Sequence, residues 1–398
     1  MSEHNLDSLD PMKFTELIKK REAAVAAASD ERKEQDYPVN RLAEMLHPKR
    51  QYLEVERIIR HADKCKTFVL KPDGKHGRTD CAYFSAGQYL CVQAEIEGKH
   101  YSRPYSIVSS PKEALSGRYA ITVKAVNGGI VSNFILDNWN VGTTVITSAP
   151  EGNFTYEPLR DAGHIIGIAG GSGITPFLSL AKAIDEGSEE CSLTLLYGSR
   201  TEKEILFKEE LDSLQSEKIK VVYILSEEQR ENYEHGYITA ELIKKYAVHE
   251  PYSVFICGPQ QMYRFVDMET DKLKLDEKYI RREVHGEIYN PEEFPDYPSN
   301  APQTVQITVT VRGKTITING GAKNTILRLL EQNGISPPSG CRSGECGFCR
   351  SRLISGKVFV PKEFDKRRQA DEKYGYIHPC STYPLSNLEI EVFPCWQR

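Results

Sequence analysis

The stretch SGCRSGECGFCRSRL, residues 339–353, sets three cysteines at C-x4-C-x2-C spacing in a loop of glycine and serine. A fourth cysteine follows at position 380, within HPCSTYP. These four, Cys341, Cys346, Cys349 and Cys380, fall within forty residues of one another, whereas Cys65, Cys81, Cys91, Cys191, Cys257 and Cys395 are scattered singly. In a reducing compartment, clustered thiols point to a metal site rather than to a disulfide framework. The small residues Gly340, Ser343, Gly344 and Gly347 let the loop wrap closely and turn backbone N–H groups toward the sulfurs.

Around this loop lies a chain of 398 residues, too long for one hydrophobic core and expected to split into two to four domains. Hydrophobic residues at 39% and charged residues at 27% are ordinary for a globular protein, and a net charge of −5 gives no reason to expect nucleic acid or an anionic membrane as partner. The apolar run HIIGIAGG is far too short to span a bilayer, and the opening MSEHNLDSLDP lacks a signal-peptide pattern, so a cytoplasmic location is expected.

The texture of the chain changes four times. Residues 1–48 read as a helical extension, with Asp10 as N-cap and Pro11 at the first helical position. Residues 49–160 alternate as short strands, KTFVLKP, QYLCVQAEI, YAITVKAV and TTVITSA, separated by glycine and proline turns, which predicts an antiparallel β-barrel. In residues 161–286, buried strands such as HIIGIAG, CSLTLLYGS and YSVFICGP are each followed by helical sequence, the pattern of a parallel α/β domain. The acidic, proline-rich segment 287–303 reads as a linker. A hairpin turning at Arg312-Gly313 and a helix closed by Gly334 then lead into the cysteine loop of a last domain, 304–398.

Iron–sulfur irons take thiolate ligands, and three closely spaced cysteines with a distant fourth match a [2Fe–2S] centre. Structural zinc usually uses close pairs in both halves of its site, and here the second half supplies Cys380 alone. Cys395 is not expected to be a ligand. Residues 304–398, SGKV after the loop included, resemble plant-type ferredoxin domains, which implies an α+β β-grasp fold. The charged stretch PKEFDKRRQADEKYGYIH departs from that pattern and reads either as a solvated loop or as part of a partner surface.

A cluster of this kind carries one electron at a time and cannot take a hydride, so a chain that feeds it needs a two-to-one electron converter. RPYSIVSS (103–110) offers Arg103, Tyr105 and Ser106 at the end of a barrel strand, and NGGIVSNF (127–134) offers a glycine turn into a helix with Ser132 in its first turn. Free N–H groups at that helix start suit a pyrophosphate, and Arg103 can add a charge-assisted contact. GIAGGSGITPF (167–177) is a second glycine turn between strand and helix, though not in Rossmann spacing.

Together these motifs resemble the ferredoxin-reductase superfamily over about residues 52–285, with its Arg-x-Tyr-Ser, Gly-x-x-Ser and Gly-Gly-x-Gly-Ile-x-Pro signatures. The resemblance implies a six-stranded barrel holding FAD, with Arg103, Tyr105, Ser106, Gly129, Val131 and Ser132 as matched positions. FMN occurs in some relatives that carry a C-terminal ferredoxin, but the continuing Gly-x-x-Ser favours FAD. It also implies a nicotinamide site at Gly170, Gly171, Gly173, Thr175 and Pro176, with Arg200 of YGSR and Cys257, Gly258 and Pro259 of CGPQQM beside it. Tyr105, Ser106, Thr175 and Cys257 would lie nearest the chemistry, Thr175 between flavin and nicotinamide. Arg200 could pair with the 2′-phosphate of NADPH or stack on the adenine of NADH; the acids of TEKEIL lean toward NADH.

The expected activity is that of an NAD(P)H-dependent electron-transfer reductase, passing hydride to FAD and single electrons through the [2Fe–2S] cluster to an electron-accepting protein such as an oxygenase. The rivals are a stand-alone flavin reductase acting on a quinone or small organic acceptor, and a non-catalytic redox subunit. Residues 1–48 would dock the partner or brace the barrel.

Overall fold

The computed structural model describes residues 11–28, 37–61, 64–76, 79–247, 251–284, 286–287 and 290–393. Asp10 and Cys395, for which the sequence raised a cap and a non-ligand cysteine, lie outside them. The chain divides into two compact units, Met1–Glu44 and Met45–Arg398. The first holds α1 (Pro11–Ala26), which starts at the expected proline, and most of α2 (Pro38–Leu46).

Six strands form the flavin-type sheet: β1 (Gln51–Arg60), β2 (Cys65–Pro72), β3 (Tyr89–Ile96), β4 (Lys99–Ser106), β5 (Tyr119–Lys124) and β6 (Thr144–Thr147). Their order is β4-β3-β6-β1-β2-β5, every pairing is antiparallel, and a bridge from Ile107 to Ile121 brings the two edges together. Period-two alternation turns Leu53, Val55, Phe68, Leu70, Leu90, Val92, Ile121 and Val123 into one core. Each such side chain contributes roughly 1.5–3 kcal/mol. After β4, α3 (Pro111–Leu115) is fixed by a capping box between Ser110 and Glu113. The helix α4 (Ile130–Asn138) sends Val131 and Ile135 into the same core, and Trp139 meets Phe68 edge-on at 5.2 Å.

The second sheet is wholly parallel, in the order β10-β9-β8-β7-β11-β12. Its strands are β7 (His164–Gly170), β8 (Ser192–Ser199), β9 (Ile219–Leu225), β10 (Glu234–His235), β11 (Ser253–Cys257) and β12 (Ile280–Glu283). All seven residues of β7 are buried, as a central strand covered on both faces requires. Around the sheet run α5 (Thr175–Asp185), α6 (Lys208–Ser213), α7 (Ala240–Tyr246) and α8 (Gln260–Asp271). The barrel and this domain share a core: Cys65, Val69, Val108 and Ala120 cluster with Phe177, Leu178 and Ala181 of α5. Arg281 of β12 reaches back to Asp161 with two donors and to the Asn153 carbonyl. Removing one partner of so buried an ion pair costs about 3–5 kcal/mol.

In the last domain, β13 (Thr304–Val311) and β14 (Lys314–Gly321) form the expected hairpin, with Arg312 and Gly313 at φ +49° and +73°. Two left-handed residues in succession make the turn whose twist matches the strands. Next comes α9 (Ile326–Gln332), capped by Thr325 and followed by Gly334 at φ +76°. Then follow β15 (Ser351–Ser355), β16 (Val358–Phe359), α10 (Gln369–Lys373), β17 (Tyr376–Ile377), β18 (Tyr383–Pro384) and β19 (Leu388–Val392). The main sheet runs β14-β13-β19-β15-β17, with β13 and β19 parallel.

Two segments are more ordered than their composition predicts. Residues 361–378 are not a plain solvated loop: they hold α10 and β17, and the buried Asp371 is met by Arg350 at 2.9 Å and Arg368 at 3.1 Å. The linker is pinned rather than free. Phe294 sits in an aromatic cluster with Phe359, Phe364 and Tyr383, and the Arg264 guanidinium of α8 lies 4.6 Å from its ring centre. Among the described residues no helix is long and apolar enough to cross a membrane.

Candidate functional site

The loop after α9 brings all four expected cysteines together. Cys349 and Cys380 have their sulfurs 3.3 Å apart, and Cys341 and Cys346 each direct a backbone N–H at the other's sulfur, at 3.5 and 3.3 Å. Backbone donors converge as the small residues implied: Ser343 N–H reaches Cys341 Sγ at 3.5 Å and Gly344 N–H reaches Cys380 Sγ at 3.2 Å. A side chain at Gly340 would put its Cβ 3.2 Å from Cys346 Sγ and 2.8 Å from the Phe348 ring, so the loop has no room for one.

The four thiols perturb one another. Hydrogen bonds from Cys346 and Cys380 pull the Cys341 thiol far down, while the Cys341 partner pushes Cys346 and Cys380 up. Sulfurs this close carry charge together only around a cationic core. The contacts run from Cys346 to Cys341, from Cys341 to Cys380 and from Cys380 to Cys349, so the four thiols form one connected group.

This loop is seated on the barrel. Cys341 and Cys346 pack with Tyr89 and Cys91 of β3, and Cys91 Sγ lies 3.6 Å from Glu151 Oε2. Burial pushes the Glu151 carboxyl up to about 7. Strand β4 makes the neighbouring contacts. Lys99 Nζ donates to the Gln332 carbonyl at 2.8 Å, Ser336 Oγ to the His100 carbonyl at 2.8 Å, and Ser102 Oγ to the Ser339 carbonyl at 3.4 Å.

At the middle of this seam Glu331 of α9 accepts from Arg342 Nη1 at 2.7 Å and Nη2 at 2.9 Å, and from Arg103 at 3.4 Å. Arg342 also donates to Glu287 of the linker. Burial drives Glu331 up and Arg342 down, but a guanidinium keeps its proton in a protein, so two cations face the Glu331 and Glu287 carboxyls.

Of the expected flavin residues, Arg103, Tyr105 and Ser106 lie along β4, and Gly129 is the N-cap of α4 with Val131 and Ser132 in its first turn. Ser106 and Ser132 are buried, and burial pushes the Tyr105 hydroxyl above its usual range. An added Cβ on Gly129 would lie 2.6 Å from Ser132 Oγ and 2.9 Å from Val126 Cβ, so the turn is closely packed there. Arg103, expected to face a diphosphate, is turned along its own strand: it donates to the Ser102 carbonyl at 2.8 Å and reaches the seam.

The expected nicotinamide residues form two facing loops. Residues Gly171–Ile174 make one 3-10 turn that runs into α5 at Thr175, whose hydroxyl donates to the Ser172 carbonyl at 3.1 Å. Opposite, the Cys257–Gly258 backbone presses on Gly173, where an added Cβ would meet Cys257 O at 2.2 Å. Cys257 itself is buried, which raises its thiol well above the ordinary value; a thiolate role is thereby disfavoured. The Tyr263 hydroxyl ties this loop together, accepting from Gly258 N–H at 3.0 Å and donating to the Glu283 carbonyl. Arg200 is exposed and held by Glu204 at 2.9 Å, and the nearby Arg230 is held by Glu202 and Glu228.

Sequence reasoning passed over Tyr89, Glu151, Glu287, Glu331 and Arg342. Only Arg342, an arginine between two ligand cysteines, carried a local signal; the others are read only once strands from distant sequence meet.

Comparison with known families finds three matches in the order of the folded modules. An oxidoreductase FAD-binding domain matches residues 55–156, an oxidoreductase NAD-binding domain residues 168–268, and a 2Fe-2S iron-sulfur cluster binding domain residues 309–385. The chain is 30% identical to the ferredoxin reductase component of the 3-ketosteroid-9-alpha-monooxygenase of Mycobacterium tuberculosis, covering 85% of this chain and 94% of that protein. It is 27% identical to a component of the 1,2-phenylacetyl-CoA epoxidase of Escherichia coli, over 78% and 88% of the two chains. The solved structure of phthalate dioxygenase reductase shares the fold, with a TM-score of 0.61 at 24% identity and coverage of 86% and 98%. With three matched modules and a relative of that identity aligned along nearly its whole length, this chain belongs to the ferredoxin reductase family, as an oxidoreductase that passes electrons from a nicotinamide nucleotide through FAD and a [2Fe–2S] cluster to a protein acceptor.

Proposed function

We propose that the chain is the reductase component of a multicomponent oxygenase, working in the cytoplasm with NADH as donor. The relatives support the reading, since their names make them parts of a monooxygenase and an epoxidase. The observation that carries it is the seat of the cysteine loop on the barrel, Cys341 and Cys346 against Tyr89 and Cys91. A reductase working only at its flavin has no use for a thiolate site at that seam.

When bound, the flavin takes a hydride and releases electrons singly, and the cluster carries them one at a time. The chain's residues bind and orient. We assign Cys341, Cys346, Cys349 and Cys380 as cluster ligands, and Tyr105 and Ser106 to the flavin ring. The free N–H groups of α4, after Gly129, suit the FAD diphosphate, with Val131 and Ser132 fixing the turn and Arg103 supplying charge. Gly170, Gly171, Gly173, Thr175 and Pro176 cradle the nicotinamide nucleotide from one side, and Cys257, Gly258 and Pro259 from the other. Cys257 acts by shape, as a neutral thiol. Module boundaries at 49–160, 161–286 and 304–398 follow the same division of labour.

The donor preference rests on charge. Arg200 and Arg230 are both occupied by carboxylates, so a 2′-phosphate brought to that edge meets Glu202, Glu204 and Glu228 beside them. An anaerobic titration with NADH and then NADPH, followed by visible absorption and electron paramagnetic resonance, tests the reading. Flavin bleaching followed by a reduced [2Fe–2S] signal, with NADH the better donor, is expected. Bleaching that never produces the cluster signal would sink it.

A further inference from the structure

The seam between the barrel and the ferredoxin module holds a buried ionic group centred on Glu331, a residue assigned to neither binding site. Glu331 and Arg342 are nearly inaccessible, and their partners come from three different parts of the chain: β4 supplies Arg103, the linker supplies Glu287, and the cluster loop supplies Arg342 itself. The four charges cancel. Arg342 adopts φ +61°, a left-handed conformation that is unfavourable for a non-glycine residue. Such a conformation persists only where surrounding contacts over-determine it, and two carboxylates provide them.

The bond lengths divide the work. Glu331 holds Arg342 at 2.7 and 2.9 Å, the range of strong charge-assisted bonds, but holds Arg103 at 3.4 Å. The carboxylate is therefore anchored on the ferredoxin side and reaches across to the barrel. Beside it, Lys99, Ser102 and Ser336 make hydrogen bonds that run between β4 and residues 332–339. The strand that carries the flavin signature is thus also the strand on which the cluster loop is hung.

We propose that Glu331 is a positioning residue that fixes the cluster loop against β4 and so sets the speed of electron passage from flavin to cluster, without touching either group. The proposal rests on the flavin-to-cluster route given above. Replacing Glu331 by Gln keeps its shape and removes its charge, leaving the two guanidiniums facing each other with Glu287 as the one remaining anion. A loosened seam lengthens and broadens the gap that electrons cross, and the rate of crossing falls steeply as the gap widens.

The test uses the full-length protein loaded with FAD and cluster. Rapid mixing with NADH separates two phases, flavin bleaching and cluster reduction; their presence in the unaltered protein checks the route independently of Glu331. In Glu331→Gln the first phase should stay within twofold and the second should slow at least tenfold. The resonance spectrum of the dithionite-reduced cluster should not change, and amide exchange should accelerate together in residues 99–106 and 332–340. Lys99→Met, an exposed change on the same seam, should slow the second phase by twofold to fivefold and serves if the first variant does not fold. Cluster reduction unchanged in the folded variants would overturn the proposal. So would bleaching that slows in step with cluster reduction, or an altered cluster spectrum with unchanged exchange.

Discussion

Gly173→Ala tests how the nicotinamide cradle is built. An added methyl at this position would sit 2.2 Å from Cys257 O, 2.5 Å from Cys257 C and 2.7 Å from Gly258 Cα, all backbone atoms that cannot rotate away. Ordinary contact begins at 3.4 Å, so the two loops must part by about 1 Å. Overpacking of this kind costs about 1–3 kcal/mol, and here it falls on the loops that must close around the nucleotide. The expected result is a loss of about 100-fold in kcat/KM for NADH with ferricyanide as acceptor, because groups displaced by that distance no longer hold the donor in line. Flavin content should change little, since the barrel keeps its packing, while the melting temperature should fall by a few degrees. Gly171→Ala is the control: it meets nothing within 4 Å and is penalised only through its φ of +52°. If Gly173→Ala keeps full turnover with NADH, the steric account of this motif is wrong.

Other expectations follow from the same structure. Cys346→Ser should erase the [2Fe–2S] resonance signal and cut electron delivery to cytochrome c by more than 100-fold, with far smaller loss toward ferricyanide; equal losses toward both acceptors would mean that the modules do not work in series. Glu204→Gln frees Arg200 and should raise kcat/KM for NADPH by roughly twofold to fivefold, within the range of exposed ion pairs, while leaving NADH within twofold; no gain would place the nucleotide's 2′ edge elsewhere. The Arg367 guanidinium, donating at 2.8 and 2.6 Å, holds the Asp365 carboxyl below its usual 3.8. Its contribution, a few tenths of a kcal/mol to about 1 after solvent screening, is present above pH 3.8 and is lost as pH falls through the lowered value. The melting-temperature gap between the unaltered protein and Asp365→Asn should therefore be seen at pH 7 and shrink toward pH 3, and a gap that persists in acid would refute the assignment.

How much of this was legible beforehand depends on how local the determinant is. The cysteine loop, the hairpin at Arg312-Gly313 and the glycine turns before α4 and α5 are encoded within a few residues, because spacing and backbone freedom decide them. The barrel and the parallel sheet were legible as texture, alternation giving way to buried runs. What stayed hidden depends on distant partners. Glu331 reads as an ordinary polar position on an amphipathic helix until β4, more than two hundred residues earlier, is laid beside it. Arg103 reads as a phosphate ligand from its motif, yet its guanidinium also serves the seam. The linker's acids and prolines announce flexibility, while Phe294, entering an aromatic cluster, helps to decide otherwise.

That anchored phenylalanine bears on how turnover is timed. With Phe294 clasped between Arg264 and Phe359, and Lys323 bonded to Glu292 at 2.6 Å, the last module is moored at its root as well as at the seam. Such a module does not shuttle like a carrier on a tether, collecting charge at one place and discharging it at another. Internal passage should then be indifferent to glycerol in the buffer, and all the drag that viscosity adds should appear in the arrival and departure of the partner, which must come to a stationary outlet.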